Sequence, residues 1–158
     1  VDAKHIYLLG VRSSAFLAGY LNFYFHLIFK NLTLVQSAAG EIFDQMLRIG
    51  PGDVLVGISF PRYSQIAVNA VRFARDRGAD VIAVTDSKMS PIYKMASASL
   101  LVSSDMISFV DSMAAPVSLL NALIMAVGQQ KSEETAESFS ELERVWSQYG
   151  VFGDAEDE

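Results

Sequence analysis

Short runs of aliphatic and β-branched residues alternate along this chain with longer stretches in which apolar residues recur every three or four positions. The runs are His5–Leu9, closed by Gly10, then Asn31–Gln36, the segment opening at Val54, Val81–Thr85 and Ala98–Val102. Continuous apolar runs of this length suit strands buried on both faces of a parallel sheet. The intervening stretches predict helices: about Ala15 to Lys30, apolar almost all round; Ala38–Arg48, stopped by Gly50-Pro51-Gly52-Asp53; and Tyr63–Arg77, ended by Gly78. Pro91 fits the first turn of a short helix through about Met95. A long apolar helix is expected over Ser108–Gly128, with Pro116 either kinking it or marking its true start. An amphipathic helix from about Glu133 to Trp146 follows, with Trp146 expected to anchor it.

Five strands separated by helical segments, with no hairpin signals, imply an α/β fold: a parallel sheet covered by helices on both faces. Right-handed crossovers put the loops that follow the strands along one edge, where ligands bind near the reversal of strand order. With strand order 2-1-3-4-5, the loops after the first and third strands are neighbours. A helix that is apolar all round, such as Ala15–Lys30, is usually sandwiched between the sheet and another body, often a second subunit. Phe16, Tyr20, Phe23, Tyr24 and Phe29 therefore read as core or interface, and His26 as a packed or interface histidine.

Length and composition narrow this picture. The 158 residues, about half of them apolar, suffice for one domain with a substantial core. That domain is expected over residues 1–150, with an acidic and disordered tail over 151–158. A net charge of −6 argues against direct contact with nucleic acid or an anionic membrane. There are no cysteines, and His5 and His26 lack a metal-ligand spacing, so no metal or cofactor is expected. No signal-peptide pattern is visible and no stretch reads as transmembrane, which suggests a cytoplasmic protein. The start at Val1-Asp2 rather than methionine suggests an excised domain.

Candidate chemistry concentrates in two loops. The strand opening at Val54 ends in Ser59-Phe60-Pro61-Arg62-Tyr63-Ser64, and a helix pattern follows at once. Free backbone N–H groups and the dipole at a helix start favour an anion, to which Ser59 and Ser64 add hydroxyls and Arg62 a guanidinium. Serines here also serve simply as helix caps, and Ser64 fits either role. The loop after the first strand, Gly10-Val11-Arg12-Ser13-Ser14, has a similar character. A dinucleotide fingerprint is disfavoured, because Arg12 interrupts the Gly-x-Gly and no third glycine follows.

These residues carry a family resemblance. Gly10-Val11-Arg12-Ser13-Ser14 is similar to the Gly-x-Gly-x-Ser turn of sugar isomerase (SIS) domains, and Ser59–Ser64 stands where those domains carry Ser-x-Ser-Gly-x-Thr. The form Ile58-Ser-Phe-Pro-Arg-Tyr-Ser64, with Gly78–Ser87 and Ser90-Pro91, resembles the C-terminal effector domain of RpiR/MurR-type bacterial transcriptional regulators over roughly Lys4–Gln130. The resemblance implies a three-layer α-β-α sandwich of flavodoxin-like order 2-1-3-4-5. It also implies a homodimer or homotetramer, and a phosphosugar ligand that modulates DNA binding by an N-terminal helix-turn-helix domain lying outside this sequence. By position, the ligand-binding residues expected are Arg12, Ser13, Ser14, Ser59, Arg62, Tyr63 and Ser64. Arg12 replaces a glycine, Pro61 a serine and Arg62 a glycine, which points to a more acidic ligand, a phosphorylated sugar acid; alternatively, the arginines pair with surface acids.

Isomerases of this fold often carry His-Gly-Asp before the third strand. This chain has Phe43-Asp44-Gln45 there, leaving only Glu41 and Asp44 as carboxylates nearby. Without a convincing acid–base pair, no catalytic residue is assigned and binding is favoured over catalysis. The alternatives are a sugar phosphate aldose–ketose isomerase and a dimerisation module without a ligand.

Overall fold

A computed structural model of the protein describes residues 2–36, 41–104, 106–107 and 110–152. The five apolar runs form strands β1 (Ile6–Gly10), β2 (Leu32–Val35), β3 (Val54–Ile58), β4 (Asp80–Thr85) and β5 (Ala98–Leu101). All pair in parallel in one sheet, in the order β2-β1-β3-β4-β5. Side chains alternate between its faces, as the strand period of two requires. Ile6, Leu8, Val56 and Ile58 point into one core, beneath α1 (Ser14–Phe25) and α4 (Ala114–Gln130). Tyr7, Leu9 and Leu55 point into the other, beneath α2 (Ile42–Gln45) and α3 (Gln65–Asp76). The result is the three-layer sandwich and strand order that the sequence predicts.

Element boundaries differ where side chains compete with the helix. The first helix stops at Phe25 rather than running to Lys30: the Leu27 and Ile28 N–H groups bond the carbonyls three residues back, on Tyr24 and Phe25, and Asn31 donates side-chain hydrogen bonds to the carbonyls of Ala3 and Lys4. His26 is exposed in the single chain, so it is not packed in the core, and of the two settings expected only an interface remains. Consecutive helical residues point about 100° apart, so a buried Phe25 does not bury the next side chain. The helix expected over Ala38–Arg48 is a single turn at Ile42–Gln45, and residues 38–40 of that span lie outside the described residues. There the Gln45 amide exchanges two hydrogen bonds with the Gln36 backbone.

Ahead of α4, where a helix from Ser108 is expected, β6 (Met106–Ile107) and β7 (Val110–Asp111) pair antiparallel; Ser108 itself lies outside the described residues. Pro116 sits in the first turn of α4, where a missing N–H has no intrahelical acceptor to lose, so it marks the start and not a kink. The last helix, α5 (Ser132–Tyr149), buries none of its residues. Trp146 packs edge-on against Phe152, just beyond Gly150 in left-handed conformation. The acidic segment 153–158 lies outside the described residues. Among the described residues no helix is long and apolar enough to cross a membrane.

One face is apolar yet uncovered. Phe16 and Phe23 on α1 are 82% and 66% exposed, and Met125 on α4 is 66% exposed. The two helices touch, and the Tyr20 hydroxyl donates to Asn121 Oδ1 across them. Neither α1 nor α4 carries a charged side chain.

Candidate functional site

Strand order reverses between β1 and β3, whose ends pair through Gly10 and Ile58. The loops that leave these ends run side by side and enclose a cleft of about 630 Å³. All seven residues expected from the sequence line it: Arg12, Ser13, Ser14, Ser59, Arg62, Tyr63 and Ser64.

The first loop is short because α1 starts almost on top of the strand. A Cβ on Gly10 would stand 2.1 Å from the Ser14 carbonyl oxygen and 3.0 Å from Ala18 Cβ. Only glycine admits that approach, which presses the start of α1 into the cleft. Arg12 makes the turn at φ +59°, the left-handed region where glycine is the usual occupant, and its side chain is exposed.

The second loop delivers the start of α3. Ser64 has the extended backbone of a cap (φ −70°, ψ 124°), and its carbonyl accepts from Val68 N at 3.1 Å. Its hydroxyl makes no capping bond. The early N–H groups of a helix lack intrahelical acceptors, so hydroxyl and amides are both left to a ligand. Ser59 is buried, with its N–H on the Val84 carbonyl (3.0 Å) and its own carbonyl accepting from Thr85 Oγ1 (2.7 Å).

Charge in the cleft is of one sign. Among the described residues the ion pairs are Lys131–Glu134 and Arg144–Glu141, both involving α5, and neither Arg12 nor Arg62 has an acidic partner. Among the described residues the cleft lining contains no carboxylate or imidazole. Glu41 and Asp44 are exposed and stand outside it, while Phe43 packs edge-on against Phe73. A second cleft, of about 780 Å³, separates the end of α1 from α5. Its lining mixes His26, Lys30 and Lys131 with Glu134, Glu137 and Glu141, so no single charge converges there.

Tyr63 has a different setting from the one expected. Its hydroxyl donates to Asp86 Oδ1 at 2.8 Å, just past the end of β4. Burial, and then this hydrogen bond to a carboxylate, hold its phenol above the ordinary value of 10.0. Thr85 and Asp86 are the residues that sequence reasoning missed. In the sequence Thr85 only closes the fourth apolar run and Asp86 falls within the Gly78–Ser87 stretch, and their contact with the third-strand loop depends on which strands are neighbours.

The family model for the SIS domain matches residues 1–126. The chain belongs to the SIS domain family. Solved structures agree with this SIS fold. The sugar isomerase domain of an RpiR transcription factor from Sphaerobacter thermophilus superposes with a TM-score of 0.85 at 23% identity, covering 90% of this chain and 80% of that one. NanR of Vibrio vulnificus, solved in complex with ManNAc-6P, gives 0.79 at 17% identity, covering 97% of this chain and 58% of NanR. A candidate sugar-phosphate isomerase from Listeria monocytogenes gives 0.75 at 20% identity, covering 89% and 76%. At these identities the likeness establishes the fold alone. No curated protein matched the chain in sequence.

Proposed function

We propose that this SIS domain is the phosphosugar-sensing effector domain of an RpiR-type transcriptional regulator. A sugar phosphate, or a phosphorylated sugar acid whose second anion meets the other arginine, binds between the β1 and β3 loops and modulates DNA binding by a helix-turn-helix domain outside this sequence. The observation that carries this reading is the convergence, in an acidic chain, of two arginines without acidic partners among the described residues and an uncommitted Ser64 hydroxyl at the start of α3. Phosphate is the group such a cradle fits. Fold likeness to the RpiR and NanR proteins supports a regulator, as does a cleft lining that offers no general base.

Such a domain acts as a homo-oligomer, and the uncharged α1–α4 face suits a second copy. Phe16 and Phe23 lie one above the other, about 10 Å apart along α1, and Ala115 and Ala122 have the same spacing on the exposed side of α4. A two-fold arrangement sets the phenyl rings of each copy over the alanines of the other without opposing like charges of two acidic chains. Ligand in the adjoining cleft then shifts how the copies sit, and with them the DNA-reading domains.

The test is thermal unfolding against sugar phosphates and phosphorylated sugar acids, with inorganic phosphate and free sugars as controls. A ligand at a hundred times its dissociation constant adds about 2.7 kcal/mol, or about 5–10 °C for a chain of this length. The sensor reading expects one phosphosugar to raise the midpoint and to be recovered unchanged after long incubation. Recovery of an isomer identifies an enzyme instead, the reading favoured by the likeness to the Listeria protein. Dimerisation with no shift from any compound refutes sensing and leaves a dimerisation module.

A further inference from the structure

Both ends of the β3 loop are fastened from behind, by residues that do not line the cleft. At one end the buried Thr85 hydroxyl holds the Ser59 carbonyl (2.7 Å); at the other, Asp86 holds the Tyr63 hydroxyl (2.8 Å). Arg62 lies between the two fastenings and Ser64 directly follows the second. The Tyr63 hydroxyl has its proton committed to Asp86 and so does not donate it to an anion. Ser90 is fully buried, and its hydroxyl lies near this phenol without meeting hydrogen-bond geometry; with Ser87 it partly offsets the rise in the Tyr63 pKa.

A carboxylate next to an anion-binding loop is unfavourable on charge alone, because like charges repel over several ångströms. What Asp86 offers is geometry. A charge-assisted hydrogen bond is short and directional, and through Tyr63 it fixes where Arg62 and Ser64 stand before the anion arrives. We propose that Asp86 is a positioning residue for anion binding: it clamps Tyr63 and so preorganises the Arg62–Ser64 side of the cleft. This rests on the reading of the cleft as an anion site.

Charge and geometry give opposite signs, which makes the proposal testable with inorganic phosphate as the probe, titrated by NMR on the whole chain. If Asp86 acted only through its charge, Asp86→Ala would tighten phosphate. As a clamp, it loses about ten-fold in affinity, the worth of one charge-assisted hydrogen bond at the lower end. Asp86→Asn removes the charge but keeps an acceptor for Tyr63, so it binds phosphate at least as tightly as the native chain. Tyr63→Phe loses at least as much as Asp86→Ala, because it removes the clamp and leaves the repelling carboxylate in place, and the double variant loses no more than Tyr63→Phe, because one interaction cannot be removed twice. Amide exchange without ligand gives a second readout: Arg62 and Ser64 exchange faster in Asp86→Ala while the unfolding midpoint moves little.

Additive losses in the double variant, tighter binding by Asp86→Ala, or an Asp86→Asn variant as weak as Asp86→Ala each overturn the clamp. Faster exchange at Arg62 and Ser64 in a chain whose native form binds neither phosphate nor sugar phosphates overturns the anion site itself and leaves Asp86 a structural tether.

Discussion

Replacing Gly10 with alanine tests the closest approach in the site. The new Cβ would stand 2.1 Å from the Ser14 carbonyl oxygen and 2.6 Å from its carbon. Both are backbone atoms at the start of α1, so no side-chain rotation relieves the clash. The helix start has to move off β1, and Ser13 and Ser14 leave the cleft with it. Overpacking at rigid sites destabilises by about 1–3 kcal/mol, and the upper half of that range fits an obstacle made of backbone. For a chain of this length 2–3 kcal/mol lowers the unfolding midpoint by about 4–12 °C. Gly19 supplies the control on the same helix. A Cβ there meets nothing within 4 Å, and alanine in a helix interior is worth about 0.5–1 kcal/mol over glycine. Gly10→Ala therefore destabilises and Gly19→Ala stabilises, which chemical denaturation of the two variants beside the native chain measures directly. A Gly10→Ala chain within about 0.5 kcal/mol of the native one refutes the close approach and the placement of the first loop that follows from it.

Arg12 combines backbone strain with charge, so Arg12→Gly should separate stability from binding. Relief of the left-handed conformation raises stability by about 0.5–1 kcal/mol after glycine's extra freedom in the unfolded chain is subtracted, while phosphate affinity falls; a variant that is both less stable and unchanged in affinity contradicts the assignment. Phe16→Asp with Phe23→Asp should yield a monomer by sedimentation with an almost unchanged unfolding free energy at low concentration, because both rings are exposed in the single chain; an intact oligomer places the interface elsewhere. Tyr63 binds its proton more tightly folded than unfolded, so its contribution is complete below its ordinary value of 10.0 and is lost as pH rises through the folded value. Tyr63→Phe should accordingly flatten the alkaline decline in stability, and an unaltered decline shows that the phenol is not held protonated by its surroundings.

How much was legible differs from element to element. The runs at His5, Val54 and Val81 are apolar on every residue that a doubly covered strand buries, so strand identity and the layered fold follow from composition along the chain. The loops at Arg12–Ser14 and Ser59–Ser64 were legible for a related reason: each sits where an apolar run breaks into hydroxyls and charge before a helix, a pattern a folded core does not ask for. Helix ends were less visible. Phe25 and Phe29 look alike in the sequence, and only the tightening to bonds three residues back at Leu27 and Ile28 shows that the helix has ended between them. Flanking hydrophobes likewise say nothing about which way a helical side chain points, so His26 is exposed in the single chain although Phe25 beside it is buried.

What the sequence by itself determined is the five strands of the parallel sheet and the helices between them, though not the β6–β7 pair, together with the polar loops at the strand ends and the family whose pattern those loops follow; each is written in residues adjacent along the chain, where hydrophobic period and turn chemistry act locally. That Arg12 and Arg62 stand without acidic partners among the described residues, and that Tyr63 is turned back onto Asp86, were decided by tertiary structure alone. Those facts depend on strand order and on contacts between residues 20 or more positions apart, and a linear pattern carries no measure of the distance between segments that meet only when the sheet closes.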